Sequence, residues 1–456
     1  MIAMHESQTD QLLSSTLVLI LAGGQGSRLH ELTKTRAKPC MEFAANYRLI
    51  DFPLSNCINS GLKKVGIVTQ YKAQTLLNHL VGQSCKFNHH CGEFLELLPA
   101  SQQESKNWYQ GTADALHQNI AFIESVKPQR VLVLSGDHIY KMDYRLLLSE
   151  HANSRADMTV SCIESSIEDA RGKLGVMQVD GKMQITAFEE KPEHPSPLAD
   201  KPGHVLASMG NYVFETDFLL QVLREDAANH DSTHDFGKDV IPSLIKRSKV
   251  NGFRFRDSNN TIPYWKDVGT LDNYYGANMD MLKASAPLDV NDPLWPISSA
   301  PSSLPPTRCY TLANASAALS DSLLGHGCEL HACEISGSVV CEKVHIEKDV
   351  SIKDAVILPN VRIGKGAKVF NAIVDAACDI PPGVTIGFNA RVDRQNGFRV
   401  TEKGVTLVSQ EALDKLRQRA LSRSKRAAFT ELAHSHATQQ VKIVNSTQHE
   451  PERYAL

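Results

Sequence analysis

Leu17-Val18-Leu19-Ile20-Leu21-Ala22-Gly23-Gly24-Gln25-Gly26-Ser27-Arg28-Leu29 decides how this chain is read. It opens as five apolar residues in a row, the pattern of a strand buried on both faces of a parallel sheet. It then breaks into three glycines within four positions and closes on an arginine. A strand running into such a turn lets several backbone N–H groups face one way with no Cβ in front of them, which suits a phosphate. Arg28 adds a fork of donors matched to phosphate oxygens. A P-loop is excluded, because Gly26 is followed by Ser27-Arg28 rather than by Lys and Ser or Thr. The dinucleotide fingerprint is excluded too, because Leu29 stands where its third glycine belongs.

Outward from this stretch, strands alternate with helices, which predicts an α/β domain with a mostly parallel, Rossmann-like sheet over residues 16–285. Val65–Thr69 and Arg130–Leu134 read as short buried strands, and Gln74–Leu80 has helical spacing. The second of these strands ends at Ser135-Gly136-Asp137, so Asp137 falls at a carboxyl end, where such sheets bind ligands. Met158–Ile163, Leu174–Val179, Gln184–Phe188 and Ser208–Phe214 read as further strands. Thr216–Arg224, Phe236–Ile245 and Leu271–Leu282 read as helices. Residues 1–15 are polar and are expected to form an arm.

Residues 286–316 change character. Pro287, Pro293, Pro296, Pro301, Pro305 and Pro306 fall among serines, which no helix tolerates. This predicts a linker. Over 317–408 apolar residues recur every six positions, as in Ile346, Ile352 and Leu358 or Val361, Ala367 and Ile373, with a slip of one near Pro359. A six-residue apolar repeat marks a parallel β-helix. Over 409–456 a helix rich in Lys and Arg, Glu411–Phe429, is followed by a polar tail.

Bulk composition is that of a globular protein: 42% apolar, 22% charged, net charge −3. Nothing in that charge points to nucleic acid or to a membrane surface. Ten cysteines without a CxxC pair read as reduced thiols, and no basic cluster precedes the first apolar run, so a cytoplasmic protein is expected. His89-His90 lacks a third group at ligand spacing and reads as a surface loop.

Leu-Ala-Gly-Gly-x-Gly-x-Arg-Leu followed by Arg36-Ala37-Lys38-Pro39 resembles the signature of sugar-1-phosphate nucleotidyltransferases. Trp108-Tyr109-Gln110-Gly111-Thr112-Ala113-Asp114-Ala115, Ser135–Tyr140, Phe188-Glu189-Glu190-Lys191-Pro192, His234–Asp239 and Tyr264–Thr270 narrow the resemblance to the glucose-1-phosphate adenylyltransferase family, of the bacterial glycogen-synthesis type. The resemblance implies that the repeat is a left-handed β-helix. It implies adenylyl transfer from ATP to glucose 1-phosphate, with Mg²⁺ as cofactor, sugar-phosphate or nucleotide effectors and a homotetramer. It assigns Arg28, Lys38 and Asp137 to catalysis and Asp137 and Asp267 to the metal. Gly23, Gly24, Gly26, Gln70, Gly111 and Thr112 would bind the nucleotide. Tyr109, Gly175, Glu190, Lys191, Ser208 and Asp235 would bind glucose 1-phosphate, with Tyr109 also facing the adenine and ribose side. From the residues alone, Tyr109 reads equally as core filler, and each Asp as a turn cap.

The reaction's demands agree with that set. A sugar phosphate, with its second pKa about 6, is already an anionic nucleophile and needs positioning and relief of charge repulsion more than a strong base. The chain departs from the family at the effector residues. Thr35 and Glu42 stand where activation by fructose 1,6-bisphosphate would lead us to expect a lysine and a histidine, while Lys34, Arg48, Arg419 and Arg423 remain as candidate effector ligands. Gln25 replaces a usual arginine. Competing readings are a nucleotidyltransferase of other base or sugar specificity, a regulatory subunit of the same fold, and a bifunctional enzyme with an acyltransferase β-helix.

Overall fold

A computed structural model of the chain describes residues 9–100, 108–257, 259–311, 317–419 and 421–422. The chain divides into two compact units. One runs to Thr307 and takes in Ser320–Cys328 and Gly337–Glu342; the other holds Arg308–Leu319, Glu329–Ser336 and the residues from Lys343 on.

The first unit is built on a nine-stranded mixed sheet. Its strands are β1 (Thr16–Leu21), β2 (Lys64–Thr69), β3 (Phe94–Pro99), β4 (Arg130–Ser135), β5 (Met158–Ser166), β6 (Val176–Val179), β7 (Ile185–Glu189), β8 (His204–Glu215) and β9 (Val250–Arg254). The order is β7-β6-β8-β4-β1-β2-β3, with β5 paired to both β8 and β9. The sheet is parallel where it carries the glycine loop, across β4-β1-β2-β3. The long strand β8 turns it antiparallel on the other side. Leu17 and Leu19 enter one core, Val18 and Ile20 the other, and all four are fully buried. An uninterrupted apolar run is what a strand covered on both faces requires.

The expected helices form at Ala73–Val81, Thr216–Ala227 and Leu271–Asp280. The span read as one helix from Phe236 instead opens with a π-helical turn, Phe236–Val240, before an α-turn, Ile241–Leu244 with Pro242 at its start. The N-terminal arm is helical over 9–14, and Leu13 packs on the core. The Pro/Ser segment has no regular structure through 307, but it is pinned within the first unit. Ser298 N donates to Ser55 Oγ at 2.8 Å, Trp295 Nε1 to Asn56 Oδ1 at 2.9 Å and Asn59 Nδ2 to Pro296 O at 3.0 Å. Side chains of helix Asp51–Asn59 thus supply the bonds that a proline-rich backbone cannot make for itself.

The second unit is a parallel β-helix. His345 pairs with Arg362 and Arg362 with Asp379, 17 residues apart, while Glu329 pairs with His345, 16 apart. Three six-residue faces would take 18, so these coils fall short by one or two residues, and the slip near Pro359 is one place where the six-residue register gives way. Ile346, Ile363 and Ile380 stack inward, at most 1% exposed. Among the described residues no helix is long and apolar enough to cross a membrane.

Candidate active site

The carboxyl ends of β1, β2 and β4 converge on a cleft of about 560 Å³. Ala22 N donates to Val68 O at 2.8 Å and Gly136 N to Leu21 O at 3.0 Å, which locks the glycine loop between the turns that follow β2 and β4. Gly23, Gly24, Gln70, Tyr109, Gly111, Thr112, Asp137, Glu190 and Asp235 line the cleft. Gly26 closes the loop at φ +64, a conformation few side chains tolerate, and a Cβ there would press on Lys38 and Thr33.

At one end three charged groups meet. Lys38 sits in a short turn, Lys38–Cys40, with Pro39 fixing its start, and is 8% exposed. Its Nζ stands 2.5 Å from Asp137 Oδ2 and 3.4 Å from Asp267 Oδ1. Asp137 follows β4, and Ser135 Oγ donates to its Oδ1 at 2.5 Å. Asp267 is brought there by the ribbon Trp265–Asp267, antiparallel to His138–Tyr140, in which Asp267 faces His138. Burial alone would raise the Asp137 pKa, but the Lys38 charge, and then His138, hold the carboxyl well below the usual carboxylate range. For Lys38, burial works against the charge and the two aspartates overcome it, so its pKa is raised. His138 Nδ1 lies 3.1 Å from Met209 O; because a carbonyl only accepts, this nitrogen carries the proton. Arg28 sits by the same ribbon: its guanidinium and Asp267 flank Gly269.

The other end is held by two loops braced together. Thr112 Oγ1 donates to Asp235 Oδ2 at 3.2 Å and accepts from Phe236 N at 2.9 Å, while Ala113 N donates to His234 O at 2.8 Å. The approach is so close that a Cβ on Gly111 would lie 2.2 Å from His234 O. Gln70 Oε1 accepts from Tyr109 N at 2.5 Å. Tyr109 packs partly on the core and also lines the cleft. Asp235 caps the Phe236–Val240 turn, accepting from Gly237 N and Lys238 N.

Glu190 enters the cleft over Gly237. Its neighbour Lys191, at φ +50, pairs with Glu190 and is half exposed. Gly175 lies against Glu190 and Phe188, and its carbonyl accepts from Ser208 N at 2.8 Å. Lys191, Gly175 and Ser208 are thus beside the cleft rather than on its wall, as are Gly26, Arg28, Lys38 and Asp267. Gly210 and Tyr212 were missed. Pairing of β8 slips between Ser208 and Tyr212, around Gly210 at φ +68. A glycine inside a strand-like run is the signal that could have found them.

Of the candidate effector residues, Arg48 donates to Glu42 Oε1 and to Cys40 O, both at 2.7 Å, and Arg36 reaches Glu42 Oε2 at 3.2 Å. Glu42, which stands where a histidine was expected, is buried between these two guanidiniums and pairs with both. Lys34 caps the turn that begins at Ser27. In the second unit Arg419 donates to Gln395 O at 2.6 Å. Arg423 lies outside the described residues, and His89-His90 sits in an exposed turn.

A glycine loop, a bridged pair of carboxylates and a braced second loop at the ends of a parallel sheet are what a nucleotide-handling transferase needs. Residues 17–284 match the family model described as nucleotidyl transferase, and residues 305–408 match the GlmU-like C-terminal hexapeptide family. The chain is 48% identical over 408 residues to a glucose-1-phosphate adenylyltransferase of Teredinibacter turnerae, covering 89% of this chain and 97% of that one. It is 49% identical over 403 residues to glucose-1-phosphate adenylyltransferase 2 of Pseudoalteromonas atlantica (88% and 96%), and 48% identical over 404 residues to the enzyme of Shewanella sp. strain ANA-3 (88% and 96%). The chain belongs to the glucose-1-phosphate adenylyltransferase family, and its repeat is the left-handed β-helix of the hexapeptide proteins.

Proposed function

We propose that this enzyme transfers the adenylyl group of ATP to glucose 1-phosphate, forming ADP-glucose and pyrophosphate as the committed step of glycogen synthesis. A phosphate oxygen of the sugar attacks the α-phosphorus, and the bond from that phosphorus to the oxygen bridging to the β-phosphate breaks. The observation that carries the reading is the Lys38 bridge between Asp137 and Asp267 at the end of the glycine loop. One ammonium reaches both carboxylates, so one small cation can too, and two hard oxygen donors suit Mg²⁺. Asp137 and Asp267 would hold that ion, which supplies charge neutralisation between the phosphates.

The chain's own groups do the rest. Gly23, Gly24 and Gly26 present the phosphate-facing loop, and Arg28 and Lys38 offset anionic charge beside it. Gln70, Tyr109, Gly111 and Thr112 form the nucleotide wall. Glu190 accepts from sugar hydroxyls, Lys191 pairs with the sugar's phosphate, and Gly175, Ser208 and Asp235 shape that end. The Thr112–Asp235 brace keeps the two halves at a fixed spacing, as in-line transfer requires. We read residues 286–316 as the linker between a catalytic domain (16–285) and the β-helix (317–408), and the protein as a cytoplasmic homotetramer.

Pyrophosphate release with Mg²⁺ and glucose 1-phosphate tests this. Release with ATP far above the other nucleoside triphosphates is expected. Equal release with another triphosphate would favour a different base specificity, and none with any of them, with sugar-phosphate effectors present, would favour a regulatory subunit. We also infer a weaker or altered response to fructose 1,6-bisphosphate at Lys34, Arg48, Arg419 and Arg423, because Thr35 and Glu42 replace the lysine and histidine expected there and Arg48 Nη1 is already engaged by Glu42 and by Cys40 O. A large stimulation of the initial rate by micromolar bisphosphate would refute it.

A further inference from the structure

The second unit carries a cluster that the transferase chemistry does not use. Strand Glu329–His331 lies beside His345–Ile346, with Glu329 opposite His345 and Leu330 opposite Ile346. Leu330 and Ile346 are fully buried, so the alternation of the strands turns Glu329, His331 and His345 outward on one face. One ligand atom from each lies within 4.8 Å of the other two.

We propose that Glu329, His331 and His345 form a binding site for one divalent cation of the zinc class on the outer face of the β-helix. His345 is held from both sides: Nδ1 is 3.0 Å from Glu329 Oε2 and Nε2 is 3.1 Å from Glu347 Oε1. A neutral imidazole has one N–H and can donate to only one of these carboxylates; a second positive charge, as a proton or a metal ion, is what satisfies both. A cation between Nδ1 and Glu329 takes the place of that second proton and leaves Nε2–H to donate to Glu347. A metal-bound histidine whose second nitrogen donates to a carboxylate is the usual arrangement around such ions.

His331 is oriented as well. Its ring stacks on Tyr310 with centroids 4.4 Å apart and planes 3° from parallel, and lies 5.1 Å from the His345 ring. Ligands about 2.1 Å from one ion stand up to about 4.2 Å apart, so closing the set takes small side-chain rotations. Two imidazoles and one carboxylate select Zn²⁺, Co²⁺, Ni²⁺ or Cu²⁺ over Mg²⁺. The ion would clip together two successive coils, because Glu329 and His345 are cross-strand neighbours.

The test is equilibrium dialysis of the full chain against Zn²⁺ in a large excess of Mg²⁺, which masks the carboxylates of the cleft. One zinc per chain is expected, with binding weakened at least tenfold by His331→Ala with His345→Ala and unchanged by Asp137→Asn. Pyrophosphate release by the double variant reports that it is folded. If the double variant does not fold, Glu329→Gln replaces it and the same weakening is expected. Co²⁺ should give a visible band without a sulfur-to-metal charge-transfer band. Zinc content unaffected by the His331, His345 or Glu329 substitutions, a sulfur-to-metal band, or no zinc retained by the unmodified chain would overturn the proposal.

Discussion

The sheet of the first unit and the coils of the second recruit neighbours from different distances along the chain. In the sheet, Val18 sits between Val65 and Leu132, residues from far-separated segments. In the β-helix, Ile346 sits between Leu330 and Ile363, one coil back and one coil on. Long-range pairing gathers the ends of unrelated segments at one edge, which is how Lys38, Asp137 and Asp267 come to share a charge. Near-neighbour stacking repeats one contact along an axis, so a defect stays close to where it is made. The first architecture concentrates chemistry, and the second distributes stability.

That contrast can be broken. The largest expected effect is Asp137→Asn, which should lower kcat by about 10³-fold, or about 4 kcal/mol, while the sheet stays folded by circular dichroism. A loss below tenfold would mean that the charged end of the cleft is not where the chemistry is done. Next comes Lys38→Met, which leaves two carboxylates without their buried cation and should cost about 3–5 kcal/mol of stability.

The pH dependence of that cost has a definite sign. Asp137 has a depressed pKa, so its contribution is present above the unfolded value of about 3.9 and is lost as pH falls through the lower folded value. Lys38 has a raised pKa, so its contribution persists below 10.5 and is lost only as pH rises past its folded value. The gap in melting temperature between the unmodified chain and Lys38→Met should therefore be flat from about pH 5 to 9 and narrow below about pH 4. A gap that closes near pH 7 would contradict the assigned shifts.

Ile363→Ala sharpens the comparison from the other side. Truncating this buried side chain should cost about 2–5 kcal/mol, seen as early melting of the β-helix, with kcat at 25 °C within twofold of the unmodified chain. A parallel fall in activity would show that the coils and the cleft are coupled. Smallest is Arg417→Ala, which removes an exposed pair with Asp379 at 2.8 Å and should change stability by less than about 0.5 kcal/mol.

Much of the fold was legible because both units advertise their burial. A strand covered on both faces must be apolar throughout, and Leu17–Leu21 is. A coil must turn inward at nearly fixed steps, and the six-residue period with its slip near Pro359 records this. The π-helical start at Phe236 was not legible, because Asp235 must cap Gly237 and Lys238 while Thr112 engages Phe236, and that brace comes from a distant segment. Nor was the pinning of Trp295 and Ser298, since prolines announce the absence of a helix and not the partner that replaces its bonds.

The candidate site divides in the same way. Sequence by itself determined the residue types at the cleft, since phosphate needs bare N–H groups and positive charge, and a small cation needs carboxylates. Only the tertiary structure decided that one ammonium touches both Asp137 and Asp267, that Glu42 is sealed between Arg36 and Arg48, and that His345 stands between two glutamates. Each of these depends on distances between groups that the chain order leaves apart, and electrostatic interaction depends on distance and burial rather than on order.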